Sequence, residues 1–287
     1  MTTELDVSVV VLTWEDFERT TACVKSLPAG AEVVVVDNGS GPAVGAALRD
    51  LCDLTGARYV PTDSTVSTAK GMNLGARYAT RTTVVLSNND VVADPGAVEG
   101  LAAALEDQAV GAAFPGVRAG DGSIGTDAGR FLTLPVGLAH LTGLGRVIPA
   151  LRIPATPDRA DWMSGPFVAV RRATLARVGG LDEATPAYSE DLRLCWAVRR
   201  LGLRIAYMPG SVVVHEDYGA AQRRWSPEEV SRKRVRGFVR ASRDQGGWRR
   251  RMACTAFAYG AALRAVAGRS AAHRAVAEGA LEGLRAR

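Results

Sequence analysis

Apolar runs alternate with segments of helical spacing over the first ninety residues. Residues 32–37 (EVVVVD) show the pattern clearly, because the run holds four consecutive valines and no polar alternation. A strand of this kind is buried on both faces, which is typical of parallel strands covered by helices. Strands are predicted at residues 7–13, 32–37, 57–61 and 83–87, and helices at 17–27, 43–54 and 69–79. This repeated strand–helix order predicts an α/β fold with a doubly wound, parallel sheet.

The second half of the chain is less regular. Residues 115–161 are rich in Gly and Pro, which predicts loops and short elements that form a lid or acceptor wall rather than an independent domain. Around this segment, helices are predicted at 97–106, 173–178 and 192–201, and strands at 110–114, 166–171, 204–208 and 212–215. Beyond Ser226 the chain is predicted to be helical.

Composition limits the classes of protein that need to be considered. The chain has 287 residues, of which 47% are hydrophobic and 23% charged, so wholly disordered and low-complexity proteins are excluded. No run of about eighteen apolar residues occurs, and no basic segment precedes the first apolar run. We therefore expect a cytoplasmic chain without a membrane span or a secretion signal. The four cysteines are widely spaced, so buried thiols are expected rather than disulfides or a zinc site.

Charge is distributed unevenly along the chain. Residues 219–287 hold 16 Lys and Arg against 5 Asp and Glu, a net charge of +11, whereas residues 1–218 have a net charge of −6. Basic clusters in the tail lie beside an apolar helical stretch with Trp248, Phe257 and Tyr259. Such a tail suits peripheral contact with the anionic inner face of a membrane. A helical pair packed on the body with its Arg side chains solvated is the alternative, and the acidic body argues against nucleic-acid binding.

Polar residues follow three of the predicted strands. They form the clusters 13–16 (TWED), 37–40 (DNGS) and 88–90 (NND). The carboxyl ends of parallel strands meet at one edge of a sheet, where the ligands of such folds bind. A GxGxxG turn, a P-loop and a G-x-S-x-G elbow are all missing, which disfavours dinucleotide-dependent dehydrogenases, P-loop NTPases and serine hydrolases. Asp90 instead offers an oxygen ligand for Mg²⁺ or Mn²⁺, or else caps a turn together with Asn88.

Six segments carry a more specific signal. In chain order they are VSVVVLTWEDFERTTACVKSL, VVVVDNGSG, GMNLGARYA, VVLSNNDVVADPGAVEGL, WMSGPFVAVRRATLARVGGLDE and YSEDLRLCWAVRRLGLRIAYMPGSVVVHE. Over roughly residues 6–220 they resemble the family 2 glycosyltransferases, and within that family the bacterial rhamnosyltransferase-like branch. The resemblance implies a GT-A fold, in which helices flank a mixed sheet, and an inverting sugar transfer from a nucleoside diphosphate donor.

The resemblance also implies a domain organisation. A GT-A catalytic domain is expected at residues 1–220, with a donor half at about 1–114 and an acceptor half at about 115–220. Residues 221–287 are expected to form a basic helical extension.

Donor-binding roles follow from the same resemblance. Thr13 and Glu15 match positions that contact the base, and Asp37 matches one that binds base or ribose, although Asp37 alone would be interpreted as an Asx turn. The other donor-binding residues expected are Asn38, Lys70, Asn73, Asn88, Asn89 and Asp90. We hypothesise that the Lys70 side chain contributes a positive charge to the donor diphosphate, with a solvated surface lysine as the alternative.

The expected metal site is a reduced form of the family pattern. Family members commonly have a DxD pair, whereas Asn88-Asn89-Asp90 keeps only the last carboxylate. Asp90 and the late histidine, His215, are the metal ligands that the resemblance implies for Mg²⁺ or Mn²⁺. A lone histidine at a strand end is otherwise more often structural.

Glu190 and Asp191 match the acidic pair that begins the acceptor-side helix in the family. The resemblance thus implies a general base here, for which Asp191 is the first choice and Glu190 the second. Acidic residues at these positions also suit the start of a helix. Relatives often read EDxDL, so Arg193 in this chain would alter the acceptor charge preference or pair with the base. Trp162 and Gly165 are expected to shape the acceptor pocket, although a tryptophan also serves as core filler.

The implied function is metal-dependent, inverting glycosyl transfer in bacterial surface-glycan assembly, with rhamnosyl transfer as the finer expectation. A transferase that tailors a secondary metabolite and a catalytically weakened nucleotide-sugar-binding protein stay open as alternatives. A nucleotidyltransferase is disfavoured, because the first strand is not followed by a Gly-rich loop with arginine. The expected partners are a nucleoside diphosphate sugar and a glycan, lipid-linked or small-molecule acceptor, without nucleic acid; a homodimer is left open.

Overall fold

The structure, a computed structural model, describes residues 4–119, 122–152, 156–157, 160–184, 188–215, 225–268 and 270–285. Arg223 and Arg224 of the basic tail lie outside these residues. The chain forms two compact units. The first comprises Met1–Thr126, Ser164–Glu183 and Ala197–Asp217, and the second Asp127–Met163, Ala184–Trp196 and Tyr218–Arg287. The boundary expected at residue 220 falls in an undescribed segment and stays a prediction.

A mixed β-sheet is the core element of the first unit. Its described strands are β1 (Val7–Thr13), β2 (Glu32–Asp37), β3 (Arg58–Pro61), β4 (Thr83–Asn88), β5 (Val91–Ala93), β6 (Val110–Arg118), β7 (Ile124–Gly125), β10 (Phe167–Arg171) and β11 (Arg204–His215). The order across the sheet is β3–β2–β1–β4–β10–β6–β11–β5, with β7 paired to β6. β1 to β4 are mutually parallel, and β6 is parallel to β11. The sheet is mixed because β10 runs antiparallel between β4 and β6.

Helices cover both faces of this sheet, as predicted. They are α1 (Phe17–Ser26), α2 (Pro42–Thr55), α3 (Thr68–Tyr78), α4 (Ala97–Ala104) and α6 (Arg172–Val178). Side chains alternate along β1, so Val9 and Val11 enter the core cluster that contains Cys23 of α1. Val10 faces the other way, towards α3, where a Cβ added at Gly75 would lie 2.3 Å from Val10 Cγ1. Glycine is therefore needed at this position for α3 to approach the sheet so closely.

Several elements differ from the sequence predictions. Residues 91–93 form β5, which was not predicted, and Leu134–Thr142 forms a regular helix, α5, inside the segment expected to hold loops and short elements. The two strands predicted at 204–208 and 212–215 are one strand, β11. Its register shifts between Met208 and Val212, where the three residues between them leave the ladder without ending the strand.

Helices dominate the second unit. Its described elements are β8 (Asp127–Gly129), α5, β9 (Trp162–Ser164, of which residues 162–163 belong here), α7 (Glu190–Arg200, of which residues 190–196 belong here), α8 (Pro227–Asp244), α9 (Trp248–Gly268) and α10 (Ala271–Arg285). Leu132, Val136, Val239 and Phe257 are in its core cluster. The helical C-terminal extension is thereby confirmed. Among the described residues, no helix is both long and apolar enough to cross a membrane.

Backbone contacts between helices in the second unit are close. A Cβ added at Gly279 on α10 would lie 2.3 Å from the Arg232 carbonyl oxygen on α8, so the two helices pack through a glycine. The cysteines of both units are buried and free, as predicted: Cys23, Cys52, Cys195 and Cys254.

Candidate active site

Strand direction brings Asp90 and His215 to the same edge of the sheet. β1, β2 and β4 are parallel. β10 is antiparallel to both β4 and β6, so β6 runs in the direction of β4. β11 is parallel to β6 and therefore runs in that direction too. After β4 the chain turns back into β5, where Val91 lies opposite His215 on β11. This register sets Asp90 beside the histidine, with Asp90 Oδ1 3.3 Å from His215 Nε2.

Asp90 and His215 fit a divalent cation. Asp90 Oδ1 is buried and accepts no hydrogen bond from a described residue, although it lies within ion-pair distance of His215 Nε2. A bound cation would offset the cost of burying this oxygen. Adjacent ligands of an octahedral ion are about 3 Å apart, which is close to the 3.3 Å separation of these two atoms. The described part of the chain contains no group of three His, Cys, Asp or Glu side chains that could hold a metal. Among the described residues, Asp90 and His215 are therefore the two that would hold the cation.

Asp37 is buried, and both of its carboxylate oxygens accept hydrogen bonds. The Ser40 N–H donates to Oδ1 at 3.0 Å, three residues along the chain rather than the two of an Asx turn, and the Tyr59 hydroxyl donates to Oδ2 at 2.6 Å. Burial, followed by the hydrogen bond to Asp37, raises the pKa of Tyr59 well above its ordinary value, so the phenol remains a donor. No pattern in the sequence singled out Tyr59. The role of Asp37 towards a base or ribose stays a prediction.

Glu15 joins the turns that follow β1 and β2. Glu15 Oε1 accepts a hydrogen bond from the Gly41 N–H at 2.6 Å, and the Glu15 N–H donates to Ser40 Oγ at 2.9 Å. Glu15 has a φ of 51°, a left-handed conformation that is strained for a residue other than glycine. Thr13 is buried, with its hydroxyl 2.6 Å from that of Thr20. The backbone at this edge is therefore held by side chains that were expected to contact the base.

Three of the asparagines expected to bind the donor hold other parts of the fold. Asn38 exchanges two hydrogen bonds with the backbone of Val66, at 3.1 and 2.8 Å. Asn73 exchanges two with the backbone of Leu181, both at 2.8 Å. Asn89 Nδ2 donates to a threonine hydroxyl on α1 at 3.2 Å. These side chains fix the loops around the sheet edge, and a direct contact with the donor stays a prediction.

Lys70 is exposed in the first turn of α3, which begins at the N-cap Ser67. The backbone N–H groups at a helix start favour anions, and a lysine there adds a full positive charge. Asn88 is partly exposed at the end of β4, where its N–H donates to the Pro166 carbonyl oxygen at 2.8 Å. Both side chains are accessible in the first unit, as donor-binding groups must be.

Glu190 caps the start of α7 in the second unit. Its Oε2 accepts a hydrogen bond from the Ser189 N–H at 2.7 Å. Burial raises the pKa of Glu190 above its ordinary value, and hydrogen bonds from backbone N–H groups, including that of Tyr188, offset the rise only in part. Tyr188 itself has a φ of 80°, a strained conformation of the kind that clusters at functional sites. Glu190 is thus both a helix cap and an acid with a perturbed pKa.

Asp191 lies in the first turn of α7 and is partly buried. Two residues later, Arg193 Nη2 lies 3.0 Å from Asp244 Oδ2 on α8. Arg240 and Arg243 also pair with Asp244. This ion-pair cluster ties α8 to the helix that carries the predicted base. Sequence reasoning missed Asp244, because nothing in the pattern of the chain connects positions about fifty residues apart.

Trp162 and Gly165 belong to different units. Trp162 Nε1 donates to the Arg130 carbonyl oxygen at 3.2 Å, and its ring centroid lies 6.1 Å from that of Phe238. In the first unit, a Cβ added at Gly165 would meet no heavy atom nearer than 3.6 Å, so space does not require a glycine there. Their acceptor-binding roles stay predictions.

Comparison with known proteins gives a family and distant relatives. The model of the family "Glycosyl transferase family 2" matches residues 8–148. An N-acetylglucosaminyl-diphospho-decaprenol L-rhamnosyltransferase of Mycobacterium tuberculosis is 28% identical over 176 residues, which are 58% of this chain and 57% of that protein. The rhamnosyltransferase WbbL of Escherichia coli is 36% identical over 55 residues, 19% of this chain and 21% of that protein. The chain thus spans little more than half the length of the mycobacterial relative.

Solved structures support the fold. A mannosyltransferase of Pyrobaculum calidifontis, in complex with GDP-Man and Mn²⁺, has a TM-score of 0.61 at 20% identity and covers 99% of this chain and 81% of its own. A glucosyl-3-phosphoglycerate synthase of Mycobacterium tuberculosis, in complex with Mn²⁺, UDP and phosphoglyceric acid, has a TM-score of 0.56 at 17% identity, over 82% of this chain and 78% of its own. The GT-A-like mixed sheet is confirmed. Residues 8–148 of this chain belong to glycosyl transferase family 2, and the chain has distant homology to bacterial rhamnosyltransferases.

Proposed function

We propose that this protein transfers a sugar from a nucleoside diphosphate sugar to an acceptor hydroxyl, with inversion at the anomeric carbon. The observation that carries the proposal is the pair of Asp90 and His215, 3.3 Å apart at the carboxyl edge of the parallel strands. Ligands of open α/β sheets bind at that edge. Membership in glycosyl transferase family 2 supports a sugar donor.

Asp90 and His215 would hold Mg²⁺ or Mn²⁺ between the protein and the donor diphosphate. When bound, the ion would supply positive charge that stabilises the leaving nucleoside diphosphate. The positive charge of Lys70, at the start of α3, would also stabilise the leaving diphosphate. This contribution matters because Asn88 replaces the first carboxylate of the usual metal pair.

Asp191 is the base that we propose for the acceptor. Its carboxylate accepts the proton of the acceptor hydroxyl as that oxygen bonds to the anomeric carbon, and the bond from this carbon to the diphosphate oxygen breaks. A positioned general base of this kind contributes about 10²- to 10⁴-fold to the rate. Glu190 supports it by capping the same helix start, where its Oε2 accepts the Ser189 N–H at 2.7 Å.

For the sugar and acceptor, we propose rhamnosyl transfer in the assembly of a bacterial surface glycan. The support is the 28% identity with the mycobacterial decaprenol-linked rhamnosyltransferase and the short 36% match with WbbL. A binding protein with little turnover is the second candidate, because Asn88 and Arg193 depart from the acidic residues that relatives often have at these positions. Product formation separates the two.

The test is Asp191→Asn in the full chain. We expect turnover to fall by about 100-fold or more, because the amide cannot accept the proton, while donor affinity stays within about twofold. Nucleoside diphosphate release with polyprenyl-linked, glycan and small-molecule acceptors gives the rate, and calorimetry gives donor affinity. Asp127→Asn, at an exposed carboxylate of the same unit, is the matched control. Turnover near the wild-type rate in Asp191→Asn would refute the assignment.

A further inference from the structure

Helix α9 exposes an apolar stripe to solvent. The large apolar side chains on it are Trp248 (64% exposed), Met252 (50%), Tyr259 (60%), Leu263 (61%) and Val266 (79%). At about 100° of rotation per residue, these five positions lie within roughly a quarter of the helix circumference. We call this surface the α9 stripe. The solvent-facing stripe of a helix in a globular protein is normally polar.

The opposite side of α9 is the one that packs in the core. Ala253, Cys254, Phe257, Ala258 and Ala261 are all buried there. The sequence-based expectation grouped Phe257 with Trp248 and Tyr259, and it was wrong for Phe257, which is only 5% exposed. The α9 stripe is therefore not a core face, since the core already takes a different set of residues.

Positive charge borders the α9 stripe. Arg249 and Arg251 are exposed, and helical geometry puts them on opposite sides of it, with the Arg249 guanidinium 5.5 Å from the centre of the Trp248 ring. α9 contains no Asp or Glu. Aromatic and aliphatic side chains bordered by arginines complement a surface that is apolar inside and anionic outside, which is the description of an anionic lipid leaflet.

We propose that the α9 stripe is a membrane-docking surface, by which the protein lies on an anionic bilayer with α9 parallel to its plane. Trp248, Met252, Tyr259, Leu263 and Val266 enter the region between headgroups and acyl chains, and Arg249 and Arg251 contact lipid phosphates. Docking needs no spanning helix, and none is found among the described residues. The proposal goes beyond sugar transfer and does not depend on the donor or the base.

Vesicle sedimentation with the full chain tests this surface. We expect binding to phosphatidylcholine vesicles that contain about 30% phosphatidylglycerol, weaker binding to phosphatidylcholine alone, and a decrease with added salt. The double variant Tyr259→Glu/Leu263→Glu should lower the partition coefficient by about tenfold or more, because it removes apolar surface and adds negative charge. Leu54→Glu, at a leucine that is 86% exposed in the first unit, is the matched control and should bind like wild type.

Two results would overturn the docking surface. One is equal vesicle binding by wild type and the double variant. The other is no vesicle binding together with a dimer in sedimentation equilibrium that Tyr259→Glu/Leu263→Glu dissociates, which would make the α9 stripe an interface between copies. Donor affinity, measured in the same preparations, should be equal in all variants. Failure of docking is thereby distinguishable from failure of the proposed transferase activity.

Discussion

Burial and hydrogen bonding act against each other on the carboxylate of Glu190. Removal from water raises its pKa, because the charged form loses hydration. Backbone N–H groups, among them that of Ser189 at 2.7 Å, lower the pKa because they stabilise the charged form. Burial is the larger effect, so the folded protein binds this proton more tightly than the unfolded chain does.

The pH dependence of stability follows from that direction. A raised pKa in the folded state means that stability is lost as the pH rises from the unfolded to the folded pKa of Glu190. Glu190→Gln should therefore unfold at a higher urea concentration than wild type near pH 7.5, with the difference vanishing below about pH 4, where both states are protonated. Glu278→Gln, at an exposed glutamate of the same unit, should show no such pH-dependent gain. A lower midpoint for Glu190→Gln near neutral pH would mean that helix capping outweighs burial.

The sequence identifies which residues gather at the sheet edge but not what their side chains bond to. Polar residues that follow parallel strands necessarily lie at the same edge of the sheet, and Asp37, Asn38 and Asn89 do so. The hydrogen bonds of Asn38 with Val66, by contrast, depend on the path of a loop that lies 28 residues away in the chain. Local pattern carries no information about such a loop.

Helix α8 supports the loop that leads into α7. Gly237 faces this loop so closely that an added Cβ would lie 2.8 Å from Ser189 Oγ and 3.1 Å from the Tyr188 carbonyl oxygen. Tyr188 also has a φ of 80°, a conformation that the surrounding contacts must hold in place. The C-terminal helices are therefore part of what positions the start of α7.

Gly237→Ala tests this support. Alanine favours a helix over glycine by about 1 kcal/mol, but the methyl group must displace the loop before Glu190 and Asp191. We expect turnover to fall by about tenfold and the free energy of unfolding to fall by about 1–3 kcal/mol through overpacking, with donor affinity unchanged. Gly247→Ala is the matched control, since its added Cβ meets no atom within 4 Å. Unchanged turnover in Gly237→Ala would show that α8 does not position α7.

Strands could be predicted from the sequence where burial alone determines the pattern of apolar residues. The strands at Val7–Thr13 and Glu32–Asp37 have the predicted bounds, because strands buried on both faces consist of unbroken apolar runs. β5 could not be predicted, since its three residues acquire strand geometry only by pairing with β11. Pro209 and Gly210 led to the prediction of two strands where the structure has the single strand β11. The strand continues because its pairing with β6 resumes after the register shift, and this pairing is not visible in the local sequence.

At the scale of the whole chain, the candidate groups divide between the two units. Asp90, His215 and Lys70 belong to the first unit, and Asp191 belongs to the second. The proposed donor-binding groups can thus be tested by binding alone, without an acceptor or a rate measurement. If Asp90 and His215 hold the cation as proposed, oxygens of the donor would complete its coordination, and binding of cation and donor would be coupled.

Thermal unfolding of the full chain, with nucleoside diphosphate sugars and Mn²⁺ added separately and together, measures this coupling. A ligand that binds only the folded state at about 100 times its Kd stabilises it by about 2.7 kcal/mol, or several degrees in Tm for a chain of this size. We expect the combined shift to exceed the sum of the separate shifts, because donor oxygens complete the coordination. Asp90→Asn should abolish this excess, whereas Asp50→Asn, at an exposed residue of α2, should keep it. Additive shifts in the wild-type protein would mean that Asp90 and His215 do not share a cation with the donor.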